Sequence, residues 1–186
     1  QMMNINNTRT HIKRLIGLEY NSIEREEISQ IVPYTIVCLE NSKLSGIQLE
    51  NKSILRPEQI LAFLLKSLLE IIQSRNSDIT QIVLTVPPWW NEIQRRSILH
   101  TASISNLKIV SLLNSTTAAA ISYVKIHTDR FSDDFEKKMN VIFIDIGDTS
   151  MNVAVTTLGK RMVDMKSFKT DKSISGHLFT EKLNEY

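Results

Sequence analysis

Apolar positions along this chain follow two periods. Ile60, Leu61, Leu64, Leu65, Leu68 and Ile72 recur at helical spacing, and Phe63, Leu69 and Ile71 widen the stripe. A helix is therefore expected from Pro57, buried on most sides. Proline suits a first helical position, and Glu58 complements the positive end of that helix. Ile82 to Val86, Lys108 to Leu113 and Val141 to Asp145 are short runs rich in β-branched and apolar residues. They predict strands covered on both faces. Between them, Asn91 can cap a helix over Glu92 to Ser105, and Thr116 to Ile126 reads as another helix with a small-residue face at Ala118 to Ala120.

The flanking segments are less regular. His11 to Leu18 reads as a short helix ending near Gly17, and Asn4 to Thr10 as a polar loop. Ile31 to Leu39 is strand-like, with Pro33 demoting its start to an edge. Asn41 to Gly46 is a turn and Ile47 to Leu55 a partly alternating return, together an antiparallel pair. Arg75 to Asp78 and Asp129 to Lys138 read as loops. Met151 to Thr157 and Met162 to Lys169 form a hairpin with Gly159 free to take positive φ in its turn. A last helix is expected over Gly176 to Tyr186. Strands separated by helices imply an α/β architecture, a mixed sheet with flanking helices. The change of pattern near residue 138, followed by a short remainder, suggests a second lobe that is incomplete, hence a fragment.

Composition narrows the function classes. The chain is 42% hydrophobic and 23% charged, which excludes wholesale disorder. Its 22 basic and 20 acidic residues are too evenly balanced to argue for nucleic acid or a membrane surface. The longest apolar run, Ile60 to Leu65, is far short of the roughly 20 residues of a membrane helix. Cys38 is the single cysteine, so neither an internal disulfide nor a cysteine-based zinc site is available. Reducing cytosol is the default compartment, with the endoplasmic reticulum left open. His11, His100, His127 and His177 lack metal-ligand spacing. There is no phosphate-binding P-loop and no nucleophile elbow.

The sharpest chemical feature is VIFIDIGDTSMNV, Val141 to Val153. A strand delivers Asp145 to its end, and a polar turn follows. Such a turn offers backbone N–H groups and hydroxyls to phosphate oxygens, and a strand-end carboxylate can hold a metal-bound water. The same segment also reads as an ordinary hairpin with a polar turn.

Four further segments accompany it in order: HIKRLIG (His11 to Gly17), RPEQI (Arg56 to Ile60), VLTVPPWWNEIQRR (Val83 to Arg96) and NLKIVSLLNSTTAAAISY (Asn106 to Tyr123). Together the five resemble the nucleotide-binding domain of the 70-kilodalton heat-shock chaperones, over nearly the whole chain. PEQ, the Arg95 to Ser97 run and the missing glycine cluster look closer to the divergent 110-kilodalton branch. The resemblance implies an actin-like, ribonuclease H-like ATPase fold, with residues 1–56 in lobe IB, 57–137 in lobe IA and 138–186 opening lobe IIA. It implies ATP or ADP with magnesium in the intact protein, and little or no nucleotide binding by this piece alone.

By the same resemblance, Lys13 matches the lysine that reaches the terminal phosphate. Asp145 matches the aspartate that holds magnesium through water. Gly147, Asp148, Thr149 and Ser150 occupy the phosphate loop. Pro87 and Arg95 match an interdomain relay. Trp89 and Trp90 replace smaller aromatics and are expected to pack rather than to bind. The family loop reads Asp-Leu-Gly-Gly-Gly-Thr-Phe-Asp-Val. Here Asp148 and Thr149 replace glycines, Asn152 replaces a carboxylate, and Ser115 and Thr116 replace a Glu-Pro pair. Weak or absent hydrolysis follows as an expectation. The implied work is that of a co-chaperone, which holds unfolded clients and exchanges nucleotide on a conventional heat-shock partner. A conventional ATP-hydrolysing chaperone is the alternative. The VPPWWNEIQRR and NSTTAAA segments argue against other actin-like proteins such as sugar kinases or filament proteins.

Overall fold

The computed structural model describes residues 8–75, 79, 81–105, 107–132 and 137–185. The chain divides into two compact units. One comprises residues 1–83 and 91–111, the other 84–90 and 112–186.

The first unit begins with a short helix, α1 (Ile12–Leu15), which stops before Gly17 at φ +61°. A Cβ on Gly17 would meet the Gln94 Cα at 2.9 Å, so glycine is required both by conformation and by space. A helix α2 (Ile23–Ile31) follows. The sequence reading did not anticipate it, although Ser22 accepts a hydrogen bond from the Arg25 N–H and Glu24 and Glu26 sit in its first turn. The strand expected over Ile31 to Leu39 shrinks accordingly to β1 (Ile36–Cys38). It pairs antiparallel with β2 (Ser45–Gln48), as expected, and β2 with β3 (Ile54–Leu55). Leu15, Leu18, Ile28, Val32, Tyr34, Ile36 and Ile47 form one core from these elements.

Helix α3 (Pro57–Arg75) starts at the proline as predicted and packs against α1 and against α4 (Glu92–Ile104). Its expected burial is overturned. Only Pro57, Glu58 and Ala62 are buried, while Phe63, Leu64, Leu68, Ile71 and Ile72 face solvent. Arg75 belongs to the helix rather than to a loop, and residues 76–78 lie outside the described residues. Helix α4 opens with a capping box: the Gln94 N–H donates to Asn91 Oδ1 at 2.9 Å and the Asn91 N–H to Gln94 Oε1 at 3.1 Å.

Strands β4 (Gln81–Val86) and β5 (Lys108–Asn114) form a two-stranded sheet. In the second unit, α5 (Ser115–Ile126) packs on an antiparallel sheet of β6 (Met139–Ile146), β7 (Met151–Gly159) and β8 (Met162–Asp171). Ala120, Val124, Phe131 and Leu158 make the core, with Val141, Phe143 and Tyr123 against it. Tyr123 meets Phe131 and Phe143 edge-on at ring separations of 6.4 and 5.8 Å. A bulge between Val155 and Thr156 leaves Lys166 without a partner across the ladder, since Val155 faces Ser167 and Thr156 faces Met165. A single 3-10 turn, Thr128–Arg130, interrupts the loop expected over Asp129 to Lys138, of which 133–136 lie outside the described residues. The chain closes with α6 (Gly176–Asn184).

Two expectations fail here. Burial of β4, β5 and β6 on both faces does not hold. Val83, Val110, Ile142, Ile144 and Ile146 are exposed, and on β6 it is Val141 and Phe143, on the other face, that meet α5. Gly159 does not take positive φ: it pairs with Met162 and closes β7, and the turn falls on Lys160 and Arg161.

Candidate functional site

The register of the second unit places the chemistry. Asp145 and Asn152 face each other across β6 and β7, and Asn152 faces Thr170 on β8. Alternation puts Asp145 on the same face of β6 as Val141 and Phe143, beyond the part that α5 covers. Its carboxylate is exposed and makes no ion pair among the described residues. The four-residue connection Gly147 to Ser150 closes on itself through a Gly147 N–H to Ser150 C=O bond of 2.9 Å, with Ser150 buried.

Helix α6 holds this loop from behind. The Gly176 N–H donates to the Gly147 carbonyl at 2.9 Å and the His177 N–H to the Asp148 carbonyl at 3.0 Å. Ser175 caps the same helix end through the Leu178 N–H. Two donors at the positive pole of α6 are therefore spent on the loop's own carbonyls. The N–H groups of Asp148 and Thr149 donate to no acceptor among the described residues, which leaves them as the loop's available anion donors. None of residues 147–150 takes positive φ. The replacement of glycine at 148 and 149 thus costs no backbone strain in this conformation.

Asn152 is more than a lost carboxylate. It is buried, and its Oδ1 accepts from the Thr170 hydroxyl at 2.8 Å. Thr156 and Thr157 add similar cross-strand bonds, to the Val141 carbonyl and to Asn140 Oδ1. Nothing in the sequence pairs Asn152 with Thr170, because the link depends on register. Ser115 is the first residue of α5 and half-buried. Thr116 is fully inside, and its hydroxyl has no partner among the described residues. Pro87 is buried just after β4. Trp90 is buried and its backbone N–H donates to the Pro87 carbonyl at 3.2 Å, while Lys172 Nζ lies 4.2 Å from the half-buried Trp89 ring. Both tryptophans pack against the chain, as expected.

The remaining candidates belong to the first unit. Lys13 is the second residue of α1, exposed and without an ion pair among the described residues. Arg95 sits in the first turn of α4, half-buried, its backbone N–H bonded to the Asn91 carbonyl at 3.0 Å. Among the described residues no three His, Cys, Asp or Glu side chains gather closely enough to hold a metal ion directly. The donor set fits a hydrated magnesium held by one carboxylate with phosphate oxygens, the usual way this ion is bound, and not a protein cage.

Comparison with known proteins agrees with this geometry. The family model described as Hsp70 protein matches residues 1–186, the whole chain. "Heat shock protein 110" of Caenorhabditis elegans is 30% identical over 98% of this chain and 24% of its own length. "97 kDa heat shock protein" of Strongylocentrotus purpuratus is 30% identical over 98% of this chain and 21% of its own. "Heat shock protein 88" of Dictyostelium discoideum is 31% identical over 98% of this chain and 24% of its own. The chain belongs to the Hsp70 family, whose nucleotide-binding domain has the actin-like ATPase fold. It spans less than a quarter of the length of these curated relatives. Among the described residues no helix is long and apolar enough to cross a membrane.

Proposed function

We propose that the whole protein is a nucleotide-binding chaperone of the 110-kilodalton heat-shock type. It holds unfolded clients and exchanges nucleotide on a conventional 70-kilodalton partner, in the cytoplasm, with slow hydrolysis of its own. Residues 1–56, 57–137 and 138–186 are assigned to lobes IB, IA and the start of IIA on the resemblance. The observation that carries the reading is the loop Gly147 to Ser150. It keeps free N–H donors beside an exposed Asp145 but carries Asp148 at its tip and has a neutral, engaged Asn152 where the family has a carboxylate.

In this proposal the N–H groups of Asp148 and Thr149 and the Ser150 hydroxyl bind phosphate oxygens. Asp145 would accept hydrogen bonds from water on a bound magnesium, and Lys13 would offer a cation to the terminal phosphate. Bound magnesium would supply charge neutralisation on the phosphates. Helix α6 keeps the loop backbone in place through the Gly176 and His177 amides. Asp148 opposes phosphate: at an effective dielectric near 20, two like charges about 4 Å apart repel by roughly 4 kcal/mol. Ser115 cannot orient a hydrated cation as a carboxylate does. Pro87 and Arg95 relay the nucleotide state to the rest of the protein.

The test is single-turnover hydrolysis, nucleotide affinity and release of labelled ADP from a conventional 70-kilodalton chaperone, all with the complete protein. We expect binding, accelerated release, and turnover at least about a hundredfold below a conventional member. Ser115→Glu with Asp148→Gly should raise turnover more than affinity. Turnover of the unaltered protein equal to that of a conventional member would overturn the reading. Asn152→Asp should add to that gain, because it restores the family's carboxylate and the Thr170 hydroxyl that donates to Asn152 Oδ1 can donate to it.

A further inference from the structure

We propose that the first unit binds a small zwitterion of the α-amino-acid class, in a cavity of about 410 Å³ between the start of α3 and one side of α4. The volume falls within the range of about 300–1,000 Å³ usual for small-molecule sites. Ile93, Ser97, His100 and Ile104 line it from α4. Their spacing is that of a single helical stripe. Arg56 and Glu58 line it from the N-terminal end of α3.

Glu58 is the acidic group that the cavity presents. It is 6% exposed, yet its carboxylate has no hydrogen bond or ion pair among the described residues. Its oxygens are not sealed off, since neither is among the buried atoms without a partner, and the residue lines the cavity. An ammonium group would pair with this carboxylate. The opposite charge is at the mouth. Arg56 and His100 are exposed and their side chains are unpaired among the described residues, while the nearby Arg96 is engaged by Glu92 at 2.9 Å. Arg56 can receive a carboxylate through two parallel N–H bonds. Ile93 and Ile104, 46% and 55% exposed, offer apolar surface for an aliphatic body. An anion alone would leave Glu58 unpaired. An amine alone would leave the basic mouth unused.

The experiment titrates the whole chain, followed by calorimetry or NMR shifts, with three probes: L-leucine, isoamylamine, which lacks the carboxylate, and 4-methylpentanoate, which lacks the ammonium. Leucine should bind saturably in about the millimolar range, and each truncated probe about tenfold or more weaker. Glu58→Gln should abolish the preference for leucine over 4-methylpentanoate, and Arg56→Gln the preference over isoamylamine. Absence of saturable leucine binding overturns the proposal. So does isoamylamine binding as tightly as leucine, which would point to an inserted cationic side chain instead. Unchanged affinity in both variants, shown folded by circular dichroism, also overturns it. Should a variant not fold, the three-probe comparison on the unaltered chain decides by itself.

Discussion

In the first unit, Leu15, Ile28 and Ile47 are fully removed from solvent by elements close to them in the chain. In the second unit, Ile142, Ile144 and Ile146 lie in an equally regular strand but remain 63%, 65% and 57% exposed, while Val141 and Phe143 on the opposite face meet α5. Both regions carry strong apolar patterning. The difference is that periodicity reports which face of an element is apolar, and not whether a second layer is present to cover it.

The largest expected effects test that contrast directly. Leu15→Ala should cost about 3–4 kcal/mol in urea denaturation, because it opens a cavity in a closed core. Ile144→Ala should stay within about 0.5 kcal/mol, because it removes solvated surface. Equal losses would mean that the open face is covered in solution, and the comparison would break.

Gly17→Ala comes next. It forces a Cβ into positive φ and against the Gln94 backbone, for a loss of about 2–3 kcal/mol within the first unit. A normal denaturation midpoint would show that α1 and α4 can separate there freely.

In the second unit the sign reverses. Thr116→Val should stabilise by about 1 kcal/mol, since the Thr116 hydroxyl is buried without a partner among the described residues. A loss of stability on this change would reveal a bond that the hydroxyl makes in solution.

The last effect lies in the first unit and is confined to alkaline pH. Burial pushes Tyr34 up to about 12, opposed by the nearby Arg9, and its hydroxyl donates to the Thr10 carbonyl at 2.5 Å. The folded state favours the neutral phenol, so this contribution is complete below pH about 10 and is lost as pH rises towards 12. Tyr34→Phe should flatten the alkaline limb of the stability curve. An unchanged limb would assign it to another group.

How far the fold was legible depended on the range of the rule applied. Asn91 and Gln94 announced the start of α4, and Pro57 that of α3, because a cap involves only one turn of chain. Helix α2 escaped notice for the opposite reason. Its cap signature was present at Ser22, but its apolar residues do not mark a single buried face: Ile23 is 77% exposed and only Ile28 is buried. The strand β6 and the polar turn after Asp145 were legible as a unit of chemistry. What holds that turn was not, since the Gly176 and His177 donors arrive from a helix beyond the next two strands.

Local spacing and ordered motifs in the chain carried the element order apart from α2, most helix starts, the location of the phosphate-loop candidate at Asp145 to Ser150 and the family resemblance. The tertiary structure alone decided that residues 147–150 need no positive φ, that Asn152 answers to Thr170 and that Glu58 is buried beside a basic mouth. The physical reason is that a cap or a period is satisfied within a few residues. A cross-strand partner, by contrast, is fixed by register, and a cavity by how two helices meet, and neither is written in any one segment of the chain.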